Sequence, residues 1–124
     1  MILTKCPLRV SLIGGSTDLT HFVDRFGKGS VISFTPNLYT YVSIHDNNVG
    51  KYIINYSLKE QASNPADIKN KIVKNCVNYF SIPPCTITFN TNILSSGSGL
   101  ASSSSFIICM IKACVMYKKL HLSN

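Results

Sequence analysis

The sequence predicts an α+β fold of two layers, in which a mixed or antiparallel sheet packs on helices. Three observations lead to this prediction. Short runs with the alternation typical of strands occur in both halves of the chain, two longer runs have helical spacing, and no repeat, linker or composition break divides the chain. With 124 residues, 45% of them hydrophobic and 14% charged, we expect a single domain over residues 1–124 with a real core.

The first predicted elements surround a pair of glycines. Residues 2–13 are predicted to form a strand, in which Pro7 argues for an edge, a bulge or an irregular start. A turn over residues 14–18 follows, and Asp18 stands at the N-cap position of a short helix with apolar residues at helical spacing. The glycines at 27–29 end that helix.

The middle of the chain predicts strands. A strand over residues 30–35 is followed by two runs, 38–46 and 51–57, which flank an Asn-Asn-Val-Gly turn and therefore predict a hairpin. In the first of these runs, residues with odd numbers are expected on one face of the strand and residues with even numbers on the other.

The second half predicts a helix, a strand and a second helix. Asn64 and Pro65 provide an N-cap and a first-turn proline for a helix that stops before the prolines at 83–84. Its apolar stripe consists of Ile68, Ile72, Val73, Cys76, Tyr79 and Phe80. A short strand over 86–89 follows, and the later run 106–116 is apolar nearly all round, so we expect a central helix that is largely buried.

The stretch 94–105 between those last elements predicts a phosphate loop that leads into a helix. Gly97 and Gly99 allow positive φ and close approach of the backbone to an anion. The hydroxyls of residues 102–105 lie where the first helical turn leaves N–H groups without partners, and those groups suit a polyphosphate. The spacing is not that of a Walker A loop. A flexible linker is the alternative, but a linker would not lead straight into an apolar helix.

The stretch 9–18 is the second motif, Arg-Val-Ser-Leu-Ile-Gly-Gly-Ser-Thr-Asp. It puts a cation at the end of a strand and a carboxylate just past a tight turn. Arg9 would suit a phosphate oxygen or another carboxylate, and Asp18 would suit the hydroxyls of a sugar. The alternative for Asp18 is a plain helix N-cap.

Together the two motifs resemble those of the GHMP kinases, named after galactokinase, homoserine kinase, mevalonate kinase and phosphomevalonate kinase. Residues 97–104 resemble their nucleotide loop, P-x-G-x-G-L-G-S-S-A, with Ser95 and Ala101 in place of its Pro and third Gly. Residues 9–18 resemble the substrate motif R-x-S-x-x-G-G-x-T-D of the sugar-kinase branch. Within that branch the glycine pair looks more like the heptose-phosphate and fucose kinases than like the galactokinases. The chain most resembles the heptose 7-phosphate kinases, which phosphorylate an anomeric oxygen.

The resemblance implies a fold like domain 2 of ribosomal protein S5, with ATP and Mg²⁺ as cofactors and a sugar or sugar phosphate as substrate. Arg9 would lie near the transferring phosphoryl group, and Ser103 would be the Mg²⁺ ligand. The implied substrate-binding residues are Arg9, Ser11, Gly14, Gly15, Thr17 and Asp18. The implied nucleotide-binding residues are Ser96, Gly97, Ser98, Gly99, Leu100, Ala101, Ser102 and Ser103.

Three hypotheses remain open, because the family's base, acidic Mg²⁺ ligand and third glycine-rich motif would follow the last predicted helix. The chain is the amino-terminal part of a sugar kinase that needs a carboxy-terminal half, a catalytically silent nucleotide-binding remnant or subunit, or a basic RNA-binding module on an S5-like fold. None of the five acidic residues is placed to act as the base, so we expect the chain alone to be inactive.

Composition gives the remaining expectations. No signal peptide is visible and the run 106–116 is too short to span a bilayer, so we expect a cytoplasmic protein without a membrane partner. Five cysteines without a C-x-x-C pattern predict reduced, buried thiols and no metal site of His and Cys. The net charge of +7 is attributed to solvated helix faces, and a nucleic-acid partner is not expected.

Overall fold

The computed structural model describes residues 1–92 and 102–119 and confirms the α+β class. The elements are β1 Ile2–Pro7, β2 Val10–Ile13, α1 Thr20–Phe26, β3 Ile32–Phe34, β4 Tyr39–Asp46, β5 Tyr52–Asn55, β6 Lys59–Ala62, a 3₁₀ helix Pro65–Asp67, α2 Lys71–Phe80, β7 Cys85–Thr91 and α3 Ser102–Tyr117. Five strands form a mixed sheet in the order β1-β4-β7-β5-β6, and β2 pairs with β3 in a separate sheet.

Strand β4 confirms the predicted alternation but not the predicted hairpin. Thr40, Val42 and Ile44 are fully buried, while the residues between them are half-buried on the other face. However, β4 does not pair with β5, because β7 lies between them, antiparallel to β4 and parallel to β5. Sequence neighbours are thus separated by a strand from much later in the chain.

The predicted strand 2–13 is in fact two strands that belong to different sheets. The chain leaves the main sheet at Leu8, whose side chain is fully buried and whose N–H donates to the carbonyl of Leu38 at 2.9 Å. The prediction of an irregular strand at Pro7 is therefore confirmed. The short polar edge strand β6 was missed, because its sequence Lys-Glu-Gln-Ala has no apolar alternation.

Helix α2 begins later than predicted. Pro65 opens only a 3₁₀ turn, and the N-cap of α2 is Asn70. The side-chain oxygen of Asn70 accepts hydrogen bonds from the N–H groups of Ile72 and Val73 at 3.1 and 3.2 Å. The predicted cap at Asn64 is wrong for α2.

The core lies between α2, α3 and one face of the five-stranded sheet, and α3 rests on β1 and β4. The prediction of a largely buried last helix holds for one face of α3 and fails for the other. Cys109, Met110, Ala113 and Cys114 are fully buried, whereas Ile107, Ile108 and Ile111 are 39%, 57% and 37% exposed. Among the helices in the described ranges, none is both long enough and apolar enough to span a membrane.

Candidate functional site

The candidate site begins at one edge of the five-stranded sheet. There the last residue of β1, Pro7, is paired with the first residue of β4, Tyr39. Directly after β7, the N–H of Asn92 donates to the carbonyl of Tyr39 at 3.1 Å, and its side-chain oxygen accepts from the N–H of Tyr39 at 2.9 Å. The end of β7 therefore lies at the same edge as the end of β1, which Arg9 follows by two residues.

Helix α3 starts at this edge as well, because two buried hydroxyls bind it to β1. The hydroxyl of Ser105 donates to the carbonyl of Pro7 at 3.1 Å, and that of Thr4 donates to the carbonyl of Cys109 at 2.9 Å. The end of β1, which Arg9 follows by two residues, therefore contacts the first turn of α3. The expectation that Ser105 caps the first turn is wrong, since its hydroxyl bonds to the neighbouring strand instead.

Small side chains explain how α3 comes so close to the sheet. Ser105, Cys109 and Ala113 are buried and four residues apart, so they form one stripe along the helix. Sequence reasoning missed this stripe, although the spacing of small residues within an apolar helix was a signal for it. Beside the stripe, the rings of Phe106 and Phe89 meet edge to face with their centroids 5.4 Å apart.

Most of the predicted nucleotide loop lies outside the described residues. Ser102 is the first residue of α3, and Ser103 follows it as an exposed residue of the first turn. The first N–H groups of this 16-residue helix have no partners within the helix itself, and this end carries a partial positive charge. The predicted loop residues outside the described ranges are Ser96, Gly97, Ser98, Gly99, Leu100 and Ala101.

The turn at the start of the glycine pair is fixed by a close fit to the start of β3. Gly14 has φ of +81°, and a Cβ added there would lie 1.9 Å from the carbonyl oxygen of Ser30. The hydroxyl of Thr17 donates to the carbonyls of Gly14 and Ser30 at 2.8 and 3.0 Å. Gly29 is equally constrained, because a Cβ there would lie 1.8 Å from the carbonyl oxygen of Thr17. Sequence reasoning assigned Gly29 only to the end of a helix and the start of the next strand.

In contrast, the turn does not require glycine at position 15 or aspartate at position 18. A Cβ added to Gly15 would meet only the Cβ of Ser11 at 3.9 Å, which is ordinary contact. Asp18 is exposed and is not the N-cap of α1, since Leu19 holds that position without a side-chain cap. The alternative of a plain N-cap is therefore wrong, and no described residue donates a hydrogen bond to the carboxylate of Asp18.

Arg9 and Asp18 lie on either side of β2. Arg9 is exposed, and no residue in the described ranges pairs with its guanidinium group. The four residues of β2 separate it from the turn by roughly 13 Å, at a rise of about 3.3 Å per residue. Arg9 follows by two residues the end of β1, which the hydroxyl of Ser105 in α3 contacts. From the sequence we predict that Arg9 and Asp18 both line one cleft with the nucleotide loop, and this stays a prediction.

Neither a metal cluster nor a disulfide is found in the described part of the chain. Residues 1–92 and 102–119 contain no group of three His, Cys, Asp or Glu side chains that could hold a metal ion. All five cysteines are free, and four of them are buried. Burial raises the pKa of Cys85 to about 12, which keeps that thiol protonated and unreactive.

Similarity to known proteins extends over almost the whole chain. No model of a protein family matches it. It is 32% identical to the D-glycero-α-D-manno-heptose 7-phosphate kinase of Campylobacter jejuni, over 99% of the chain and 40% of that kinase. A crystal structure of a heptose 1-phosphate kinase from Bacteroides thetaiotaomicron superimposes with a TM-score of 0.80 at 24% identity, over 99% of the chain and 44% of that structure.

Two further structures agree with this. A sugar kinase structure from Campylobacter jejuni gives a TM-score of 0.73 at 26% identity, over 98% of the chain and 42% of that structure. The mevalonate kinase of Methanococcus jannaschii gives 0.66 at 24% identity, over 98% of the chain and 42% of that structure. The chain therefore has the fold of the amino-terminal domain of the GHMP kinases, and its predicted resemblance to heptose 7-phosphate kinase is confirmed. It spans about two fifths of the length of these relatives.

Proposed function

We propose that this chain is the nucleotide-binding and sugar-binding amino-terminal part of an ATP-dependent kinase that phosphorylates the anomeric hydroxyl of heptose 7-phosphate. One observation carries the proposal: the 3.1 Å hydrogen bond from Ser105 to Pro7 joins the start of α3 to the strand that leads to Arg9. The start of α3, as the phosphate-binding helix end, and Arg9, as the cation, would therefore share one edge of the sheet. The name of the Campylobacter jejuni relative supports the substrate class.

In this proposal the start of α3 binds the phosphates of ATP. Unpaired N–H groups and the helix dipole favour a phosphate there, and the residues 96–103 would surround it. Bound Mg²⁺ would neutralise charge on the phosphate oxygens. The exposed hydroxyl of Ser103 fits one position around such an ion. No acidic residue belongs to the first turn of α3, so carboxylate ligands would have to come from elsewhere.

The acceptor sugar would bind along β2, between Arg9 and the glycine turn. Arg9 would stabilise negative charge on the transferring phosphoryl group, since a guanidinium group bonds phosphate oxygens in a planar fork. The unpaired carboxylate of Asp18 would accept hydrogen bonds from sugar hydroxyls. The open side of Gly15 would let the sugar approach the backbone, and Ser11 lies beside it. Thr17 already donates within the turn, so it would act by holding the turn in shape.

The proposal includes a remaining part of the kinase that supplies the base. By their spacing in the sequence, none of the five acidic residues is expected to orient the acceptor hydroxyl or to hold Mg²⁺. A complete enzyme therefore needs the portion that the relatives carry beyond the matched segment, as part of the same polypeptide or of another. We place this kinase in the cytoplasm, because five free thiols fit a reducing compartment.

The test is complementation with ATP, Mg²⁺ and heptose 7-phosphate. We expect no turnover by the chain alone, and turnover after fusion to the part of the Campylobacter jejuni kinase that follows the matched segment. In the fusion, Asp18→Asn and Arg9→Gln should each lower kcat/KM by about a hundredfold. Matched controls are Asp24→Asn and Arg25→Gln in α1, which lie outside the motif and should change kcat/KM less than about twofold.

Other outcomes separate the alternatives. Nucleotide binding by a fusion that never turns over would favour the silent remnant. Salt-dependent binding of RNA without binding of ATP would favour the RNA-binding module. Turnover by the chain alone that Asp18→Asn abolishes would contradict the binding role of Asp18 and make it the base.

A further inference from the structure

Helices α2 and α3 leave an apolar groove between them on the side that faces away from the sheet. Its volume is about 580 Å³. Six of the residues that line it are Ile72, Cys76, Tyr79 and Phe80 of α2 and Ile107 and Ile111 of α3. Lys71 is the charged residue of the lining. The lining of the groove is apolar, unlike the polar sheet edge at Arg9. The phosphoryl transfer proposed above gives the groove no role.

The groove has the shape and chemistry that a helix requires of its partner. Its α2 residues recur at intervals of four, three and one, and Ile107 and Ile111 are one turn apart, so each helix contributes one continuous apolar ridge. Two ridges with a channel between them accept a third helix by ordinary packing of ridges into grooves. The exposure is substantial, since the side chain of Tyr79 is 83% exposed and those of the two isoleucines more than a third.

The length of the relatives indicates what covers this surface. The matched segment is 40% of the Campylobacter jejuni kinase, so about one and a half times as much polypeptide remains to be packed against a domain of this fold. Charge restricts the partner further. This chain carries a net charge of +7, and Lys71 lies in the groove, so a partner helix with acidic residues along its flanks is complementary.

We propose that the groove binds an amphipathic helix of the polypeptide that supplies the remaining part of the kinase. That helix carries apolar residues at intervals of three and four and an acidic residue next to Lys71. The proposal rests on the proposed function for the identity of the partner only. Its consequence is local: the docked helix covers the outer side of α3, the helix whose first turn would hold the nucleotide, and so it braces that end of the site.

The test measures binding and does not require activity. The probe is the part of the Campylobacter jejuni kinase that follows the matched segment, labelled for fluorescence anisotropy. We expect the double variant Ile107→Gln, Ile111→Gln to bind the probe at least about tenfold more weakly. The matched control is Ile108→Gln, because Ile108 lies on the same helix and is 57% exposed but does not line the groove. It should change affinity less than about twofold.

Folding does not confound this test. Circular dichroism checks that each variant folds, and Tyr79→Ser gives a second groove variant whose side chain is too exposed to stabilise the core. Equal effects of the groove variants and of Ile108→Gln, or no binding of the probe, would overturn the proposal. Self-association of the chain that the groove variants abolish, without binding of the probe, would also overturn it in favour of a second copy.

The two proposals fail in different ways. If the probe binds through the groove but the fusion shows no turnover, the proposed function is contradicted and the groove proposal stands. The groove proposal alone is contradicted if the fusion turns over and the groove variants change neither its rate nor, in the separate binding experiment, the affinity for the probe.

Discussion

The five-stranded sheet with α2 and α3 and the segment Val10–Phe34 are stabilised in different ways. The first has a contiguous core that includes fully buried side chains from β4, β7, α2 and α3. In the second, which carries β2, α1 and β3, no side chain is buried. Its exposed large apolar residues are Leu12, Ile13, Leu19, Phe26, Val31, Ile32 and Phe34.

This difference shows how the turn over residues 14–18 is held. The segment depends on a few fits of backbone to backbone, chiefly Gly14 and Gly29 against Ser30 and Thr17, and not on burial of apolar area. A region with few buried apolar contacts opens at lower free energy than the core does. The conformation around Asp18 therefore depends on whatever the segment packs against, whereas the start of α3 is fixed by the core.

The largest expected difference comes from removing the same side chain in the two regions. Ile44→Ala in β4 deletes a fully buried side chain and should lower the free energy of unfolding by about 2 to 5 kcal/mol. Ile32→Ala in β3, where the isoleucine is 60% exposed, should lower it by less than about 0.5 kcal/mol. Urea unfolding followed by circular dichroism measures both. Similar losses would mean that the segment shares the core's cooperative unit.

A smaller effect is expected from the glycine pair, and it should stay local. Gly14→Ala forces a Cβ against the carbonyl of Ser30 at positive φ, which strains the turn by about 1 to 3 kcal/mol. Hydrogen exchange over residues 14–30 should therefore rise, while the midpoint of global unfolding moves little. Gly15→Ala is the control and should leave exchange unchanged, since its Cβ has room. An equal rise in exchange in both variants would contradict the assignment of strain to Gly14.

The smallest expected effect is a pH dependence confined to the core region. The hydrogen bond from Tyr117 to the carboxylate of Asp46 raises the pKa of Tyr117 from 10.0 to about 12. Folding thus favours the protonated phenol, so this contribution is complete below pH 10 and is lost as the pH rises through 12. Residues 10–34 contain neither Tyr nor Cys and should not respond through such groups.

Tyr117→Phe should therefore be less stable than the unmodified chain at pH 9, and the difference should shrink as the pH rises from 10 to 12. The measurement is the free energy of unfolding at each pH, with the exposed Tyr79→Phe as the matched control. A difference that stays constant over this range would show that the bond to Asp46 contributes nothing. The loss that burial of Cys85 causes over the same range is common to both chains and cancels.

Sequence patterns predicted elements well where the determining contacts are local. The alternation of β4 gave its buried face correctly, and the apolar stripe gave most of α2. The pairing of strands was wrong, because the strand inserted between β4 and β5 comes from residues 85–91 and no local pattern encodes that contact. The prediction that α3 is largely buried failed on one face for a related reason. The sequence of a helix that is apolar all round does not show which of its sides the chain itself covers.

At the candidate site, too, local conformation was predicted and contacts between distant parts of the chain were not. Gly14 was expected in a tight turn and is required there. The roles of Ser105 and Gly29 could not be foreseen, because each depends on one backbone carbonyl far away in the sequence, those of Pro7 and Thr17. Asp18 as an N-cap was a reasonable local expectation, but the chain enters α1 one residue later and frees the carboxylate.

The position of β7 has a consequence for the order in which the chain folds. Until residues 85–91 have been synthesised, β4 and β5 each present an unpaired inner edge, and the sheet consists of two separate pairs of strands. The bond from Thr4 to Cys109 joins residues 105 positions apart, so β1 and α3 can meet only after nearly all of the described chain has been synthesised. Such distant contacts slow folding. Until its central strand has been synthesised, the nascent chain therefore has unpaired strand edges. Other chains can pair with these edges.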